Sequence, residues 1–366
     1  MHRDPVGALC RVARPFFPAR PPRVSQWRSI LLLRPCCIGD VLQSTALLVA
    51  LRRAFPEARL GYAVGPWSRP VLENNPHLDV LVDTGPVVGG RRQDWRAYPT
   101  LVRRLRRERW DACFVLERSP LFSLMAAAAG IPDRIGPDNA GRGMALTLRV
   151  PARPRRQEAD AYLDLARAAG IEVAQADTAF FPSATDRDEV DRLVGDGQER
   201  FVALAPGGGV NPGGALFTKR WPAERLGALA ARLARRGYTP LVVGGPQDHG
   251  LAKRVVEASE GCATDVSGRL SLRGCGALID RAVLFVGNDT GLMHLAAATG
   301  TPVVALFGPT DPAIYAPYGE HHRVLWHPQR CSPCFRERER RQGCGMECMR
   351  SISVDEVEDA ALELLG

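Results

Sequence analysis

No uninterrupted apolar run in this 366-residue chain reaches the roughly 18 to 20 residues that a bilayer-crossing helix needs. The amino-terminal stretch also lacks the apolar block of a secretory signal peptide, so the expectation is a cytoplasmic protein, peripheral at most at the inner face of the cell membrane. No RNA-binding aromatic signature and no spaced zinc-finger pattern accompanies the basic runs, which excludes nucleic acid as the partner. No Asp-x-Asp metal motif follows a strand end in either half of the chain. Acid is almost missing from the first 28 residues, where Asp4 alone faces Arg3, Arg11, Arg14, Arg20, Arg23 and Arg28.

What is present belongs to an ordinary soluble globular protein: 45% hydrophobic and 24% charged residues, with a length that suits two domains. The net charge of +8 is concentrated in the first 28 residues and in "RRLRRER" (103–109), "RPRR" (153–156) and "RERERR" (336–341). Such runs form solvated faces or meet an anionic partner, here phospholipid head groups or a phosphorylated acceptor. Residues 1–28 read as a flexible basic tail.

Short apolar runs alternate with amphipathic stretches twice over. Strands are expected at 30–34, 59–64, 79–83 and 112–117, with helices at 41–54, 94–109 and 120–129. The rhythm returns with strands at 201–206, 239–245, 282–288 and 301–308, and helices at 222–236, 247–259, 271–280 and 291–299. Alternation of this kind predicts α/β architecture, two Rossmann-like doubly wound parallel sheets. Ligands of such sheets bind outside the carboxyl ends of the strands, so a central cleft is expected to hold the site. The boundaries that follow are a tail over 1–28, an N-terminal domain over 29–185, a C-terminal domain over 195–345 and a final helix within 346–366. "FPSATDRDEV" near 181–190 reads as the linker, and Ser353 as the cap of the last helix.

Three strand ends carry chemistry. In "FVGNDTGLMHLAAATGTPVVALFGPTDP" (285–312) a strand turns at Asn288-Asp289-Thr290-Gly291 into a helix, whose free N–H groups and dipole suit a diphosphate. Gly291 allows close approach, Thr290 offers a hydroxyl and His294 lies one turn in; the alternative is that Asp289 only caps and His294 only packs. "APGGGVNPGGALFTKRWPAERL" (205–226) adds a glycine-rich loop that delivers Lys219 and Arg220. "VVGGPQDHG" (242–250) presents Asp248 to a ribose. In the first half, "LLLRPCCIGDVLQSTALLVALRRAF" (31–55) puts Asp40 where a strand gives way to a helix, as a helix cap or as a general base.

The strings "IGDVLQSTALLVALRRAFPEARL", "KRWPAERL" and "VGNDTGLMHLAAATGTPVVALFGPTDP", with the "RIG" of Arg134 to Gly136, resemble glycosyltransferase family 9, the ADP-heptose:lipopolysaccharide heptosyltransferases. The resemblance runs from about residue 29 to the C-terminus. It implies a GT-B fold, donor in the C-terminal domain and acceptor in the N-terminal one. It also implies metal-independent, inverting transfer of a heptose from an ADP-heptose-like donor to a lipopolysaccharide-core-like or other cell-envelope glycan or glycolipid. The family's proposed base falls on Asp40, its donor lysine on Lys219, its ribose contact on Asp248, and its Asp-Thr-Gly-x-x-His on Asp289, Thr290, Gly291 and His294. Pro35-Cys36-Cys37-Ile38 departs from the small polar residues common before the family's Gly-Asp. Two rivals remain at this stage: a nucleotide-sugar epimerase of the same architecture, and a non-catalytic nucleotide or glycolipid binder.

Ten cysteines in a cytosolic chain do not suggest a disulfide framework. Four of them, Cys331, Cys334, Cys344 and Cys348, have a spacing that could fold round a structural Zn²⁺, remote from the chemistry.

Overall fold

The run Ser29–Leu33 becomes strand β1, and all but its first residue are buried, as a central strand covered on both faces requires. The computed structural model describes residues 4–87, 96–195, 200–208, 210–211, 214–334 and 344–366. The basic run at 336–341 lies outside them. The chain divides into two compact units, Met1–Arg69 with Asn75–Asp177, and Pro70–Asn74 with Thr178–Gly366.

In the first unit helix α1 (Pro5–Ala13) precedes β1, then come α2 (Ile38–Ala54), β2 (Arg59–Val64), β3 (Val80–Asp83), α3 (Ala97–Glu108), β4 (Ala112–Val115), α4 (Pro120–Ala128), β5 (Asp133–Asp138), β6 (Leu148–Pro151) and α5 (Glu158–Ala168). The six strands run parallel in the order β3-β2-β1-β4-β5-β6. Order reverses between β1 and β4, the switch point at which such sheets open a crevice.

The second unit holds α6 (Ala184–Val194), β7 (Phe201–Ala205), a small antiparallel pair β8 (Val210–Asn211) and β9 (Gly214–Ala215), α7 (Ala223–Arg235), β10 (Thr239–Val242), α8 (His249–Ala258), β11 (Thr264–Asp265) and α9 (Leu272–Arg281). It continues through β12 (Leu284–Asn288), α10 (Gly291–Thr299), β13 (Val303–Phe307), α11 (Pro312–Tyr315), β14 (His322–Trp326), α12 (Glu347–Arg350) and α13 (Val354–Leu365). Its parallel sheet, β11-β10-β7-β12-β13-β14, repeats the first topology, with the switch point between β7 and β12. Valines and leucines of β7, β10, β12 and β13 pack with Leu226, Leu229 and Leu233 of α7 and with Val357 and Ala361 of α13, so the last helix belongs to this core. Ser353 caps α13 through a reciprocal pair with Glu356, as expected.

Two expectations need correction. The amino-terminal residues 4–28 are not a flexible tail: α1 folds back on its own unit. Trp27 Nε1 and the Arg23 amide both donate at 2.8 Å to Asp133 Oδ2, on a residue only 1% exposed, and Arg14 pairs with Asp138. Buried Trp27 and these charge-assisted bonds offset the ordering entropy that charge alone would not. The segment at 181–190 is not a linker, because Ser183 and Asp186 form a capping box that opens α6. The units instead divide between Asp177 and Thr178. Among the described residues no helix is long and apolar enough to cross a membrane.

Candidate active site

In the second unit, β7 ends at Ala205 and the chain turns through Pro206-Gly207-Gly208, while the neighbouring β12 ends at Asn288. Asn288, 1% exposed, ties the turns together. Its amide donates to the Pro206 and Gly207 carbonyls at 3.1 and 3.0 Å, and its oxygen accepts from the Trp221 amide at 2.9 Å. A buried amide satisfied on both ends fixes three loops at once. Sequence reading placed Asn288 in the turn without giving it a role.

Beyond Asn288, Asp289 is 4% exposed and accepts from Lys219 Nζ at 2.8 Å. His294 Nε2 lies 3.9 Å from its other oxygen. Thr290 is the N-cap of α10 in extended conformation and makes no side-chain cap bond, so the helix start keeps donors to offer. Gly208 has φ +112, and a methyl group there would collide with the Thr290 side chain. A methyl at Gly207 would strike the Asp248 carboxylate. Both positions therefore require glycine, one for its backbone and both for space.

Asp248 is 5% exposed, and its Oδ2 accepts from the Gly245 amide at 3.1 Å. Burial pushes its carboxyl upward, partly countered by that amide and by Arg220, whose guanidinium stands 3.6 Å away. Arg220 also donates to the Gly208 carbonyl at 3.0 Å, a second cation that sequence reading noted beside Lys219 without giving it a role. The structure thus gathers Lys219, Asp248, Asp289, Thr290, Gly291 and His294 in one unit, around the ends of β7 and β12. Lysine was itself a signal: of 48 basic residues only Lys219 and Lys253 are not arginine.

Asp40 lies in the first unit, at the matching switch point. It is not the cap of α2: Cys37, with φ 73, holds that position without a side-chain bond, and Asp40 falls in the first helical turn. Its Oδ2 accepts from Arg34 Nη2. Arg34, 8% exposed, also donates to the Leu116 carbonyl at 3.0 Å and stands 3.2 Å from Glu117 at the end of β4. Burial alone would weaken this guanidinium; Asp40, Tyr162, Glu117 and Glu158 outweigh it and hold the charge firmly. Cys36 and Cys37 bring their sulfurs to 2.9 Å beside this pair. An arginine ending the run Leu31-Leu32-Leu33 was visible in the sequence; its carboxylate partners were not.

The same unit contains a recess of about 360 Å³ lined by Arg118, Arg153, Arg156, Arg167, Glu158 and Tyr162. Arg118 donates to the buried Glu158 at 2.7 Å, and Arg156 and Arg167 meet Asp164 at 3.0 and 2.9 Å.

The four cysteines do not form a zinc cage among the described residues. Cys334 and Cys348 are buried, Cys331 and Cys344 are exposed, and no group of three or more potential ligands among the described residues could hold a metal ion.

Two parallel-sheet units of one strand order make a GT-B architecture. The sequence model of glycosyltransferase family 9 (heptosyltransferase) matches residues 99–344, and the chain belongs to that family. Membership makes it a glycosyltransferase and sets the epimerase reading aside. Lipopolysaccharide heptosyltransferase 2 of Salmonella typhimurium is 28% identical over 319 residues, which cover 81% of this chain and 87% of that one. The solved family 9 glycosyl transferase of Veillonella parvula superposes with a TM-score of 0.78 at 25% identity, over 92% of this chain and 97% of that one. The ADP-heptose lps heptosyltransferase II of E. coli shares the fold, with a TM-score of 0.72 at 24% identity over 92% and 98% of the two chains.

Proposed function

We propose that this protein transfers a heptose from an ADP-heptose donor to a lipopolysaccharide-core acceptor in a single inverting displacement. The observation that carries the reading is the Lys219–Asp289 pair at the start of α10, beside glycines that cannot bear a side chain. A diphosphate seated there meets Lys219, Arg220 and the amides of a helix N-terminus, the positive character that a departing ADP needs and that a metal supplies in other transferases. Thr290 and Gly291 would line its approach and His294 would flank it, while buried Asp248 would accept from the donor ribose.

Asp40 acts as general base. Arg34 occupies Oδ2 and thereby orients the carboxylate, which takes the proton from the attacking acceptor hydroxyl as the bond to the anomeric carbon forms. Displacement from the face opposite ADP inverts that centre. Arg118, Arg153 and Arg156 in the recess of the same unit suit the negative groups of a phosphorylated glycolipid. The relatives, a lipopolysaccharide heptosyltransferase 2 and an ADP-heptose lps heptosyltransferase II, support the choice of sugar and acceptor.

The test is incubation of the purified chain with ADP-heptose and heptose-deficient lipopolysaccharide in the presence of EDTA. The expected product carries one added heptose with the anomeric configuration opposite to the donor's. Absence of product, or a retained anomer, contradicts the reading; activity that requires added Mg²⁺ or Mn²⁺ contradicts the metal-free step.

A further inference from the structure

Helix α1 buries one side against its own unit and leaves the other bare. Cys10 is buried with Met144 and Ala145, and Ala13 and Phe17 pack beside them. Val6, Leu9, Val12 and Phe16 are instead 45%, 71%, 73% and 83% exposed. Their spacing of three and four residues puts them along one side of the helix and its short continuation at Arg14–Phe16. Isolated exposed apolar residues need no explanation, but four in eleven positions form a ridge. Residues 4–28 carry five arginines and one acid. Arg11 and Arg14, in and next to α1, are tied down to the Ala140 carbonyl and to Asp138. Anchoring of this kind holds the helix in place with its apolar side outward.

We propose that α1 is an interfacial anchor that lays Leu9, Val12 and Phe16 into the surface of an anionic phospholipid bilayer, with the exposed Arg11, Arg20, Arg23 and Arg28 of the same segment supplying positive charge beside the head groups. Charge complementarity selects this occupant: an apolar ridge set among arginines fits a negatively charged interface better than a neutral protein groove. The attraction then has two separable parts. The electrostatic part falls with salt over the Debye length, and the apolar part does not. Such an anchor would keep the enzyme at the surface that presents a glycolipid acceptor, and in that respect it rests on the transferase reading. Binding to vesicles is measured without donor or transfer, so the two can fail separately.

The experiment is co-sedimentation of the full chain with vesicles of phosphatidylcholine alone or mixed with phosphatidylglycerol, at low and high salt. Wild type is expected to bind the anionic vesicles, and to weaken but not detach completely at high salt. The double variant Leu9→Asn/Phe16→Asn, which adds no charge, is expected to lose about 10²-fold in partition, the scale of two large side chains withdrawn from apolar contact. A melting curve like the wild type's shows that these exposed positions leave the fold intact. Equal partition of wild type and variant overturns the proposal, as does equal binding to neutral and anionic vesicles. Self-association of the wild type in the absence of lipid, abolished in the variant, also overturns it and assigns the ridge to a second copy of the chain.

Discussion

The two units share one strand order and use their switch points in opposite ways. After β1 the chain carries side chains inward: Arg34, Cys36 and Cys37 fill the turn, and Arg34 pairs with Asp40 across it. After β7 it carries almost none, since Gly207 and Gly208 leave space that a methyl group would close. The first arrangement holds one carboxylate in a fixed direction. The second exposes backbone amides and a helix start to whatever anion enters. Topology decides where the crevice opens; in the proposed reaction, residue choice at the two turns makes one an acid–base centre and the other an anion seat.

The comparison can be broken most severely at Asn288. Asn288→Ala would leave the Trp221 amide and the Pro206 and Gly207 carbonyls without their partner, at a cost of about 3–4 kcal/mol. Thermal unfolding should show this loss, and ADP affinity should fall with it. Next comes Lys219. Lys219→Ala should weaken ADP binding by about 1.5–3 kcal/mol, the scale of a charge-assisted hydrogen bond, as read by calorimetry. It should also lower Tm, because Asp289 is left buried without its cation. Adding Asp289→Asn should recover Tm but not affinity; recovery of both would mean that Lys219 serves the fold alone.

Asp248 gives the smallest effect and an opposite sign. Burial raises its pKa, so the folded protein holds the proton more tightly than the unfolded chain does. Its charge therefore subtracts from stability at neutral pH, and the loss is relieved as pH falls through the raised pKa. Asp248→Asn should melt slightly higher than wild type at pH 7, with the gap closing on acidification, while donor affinity drops.

The halves also differ in how legible they were. All eight strands expected from apolar runs stop within about three residues of where the pattern placed them, because buried parallel strands must be continuous in valine and leucine. Asp133–Asp138 escaped notice: its sequence DRIGPD has no apolar run, and its place is set by pairing with β4. Charged α6 read as a linker although its capping box was present in the letters. In the second unit the motif residues converge, and only Asn288 and Arg220 had been left without roles. In the first unit the position of Asp40 depended on Cys37 adopting a positive φ, which starts α2 earlier than any residue preference indicates. The partners of Arg34 come from separate strand ends, information that a one-dimensional pattern does not hold.

The division of labour rests on Asp40, and Asp40→Asn tests it directly when donor binding and turnover are measured on the same preparation. Asparagine can still accept a hydrogen bond from Arg34, but its amide does not take up a proton at neutral pH. The account predicts a folded variant that binds ADP-heptose as wild type does and transfers it about 10²–10⁴-fold more slowly. A variant that binds donor normally and transfers at a near-normal rate would contradict it.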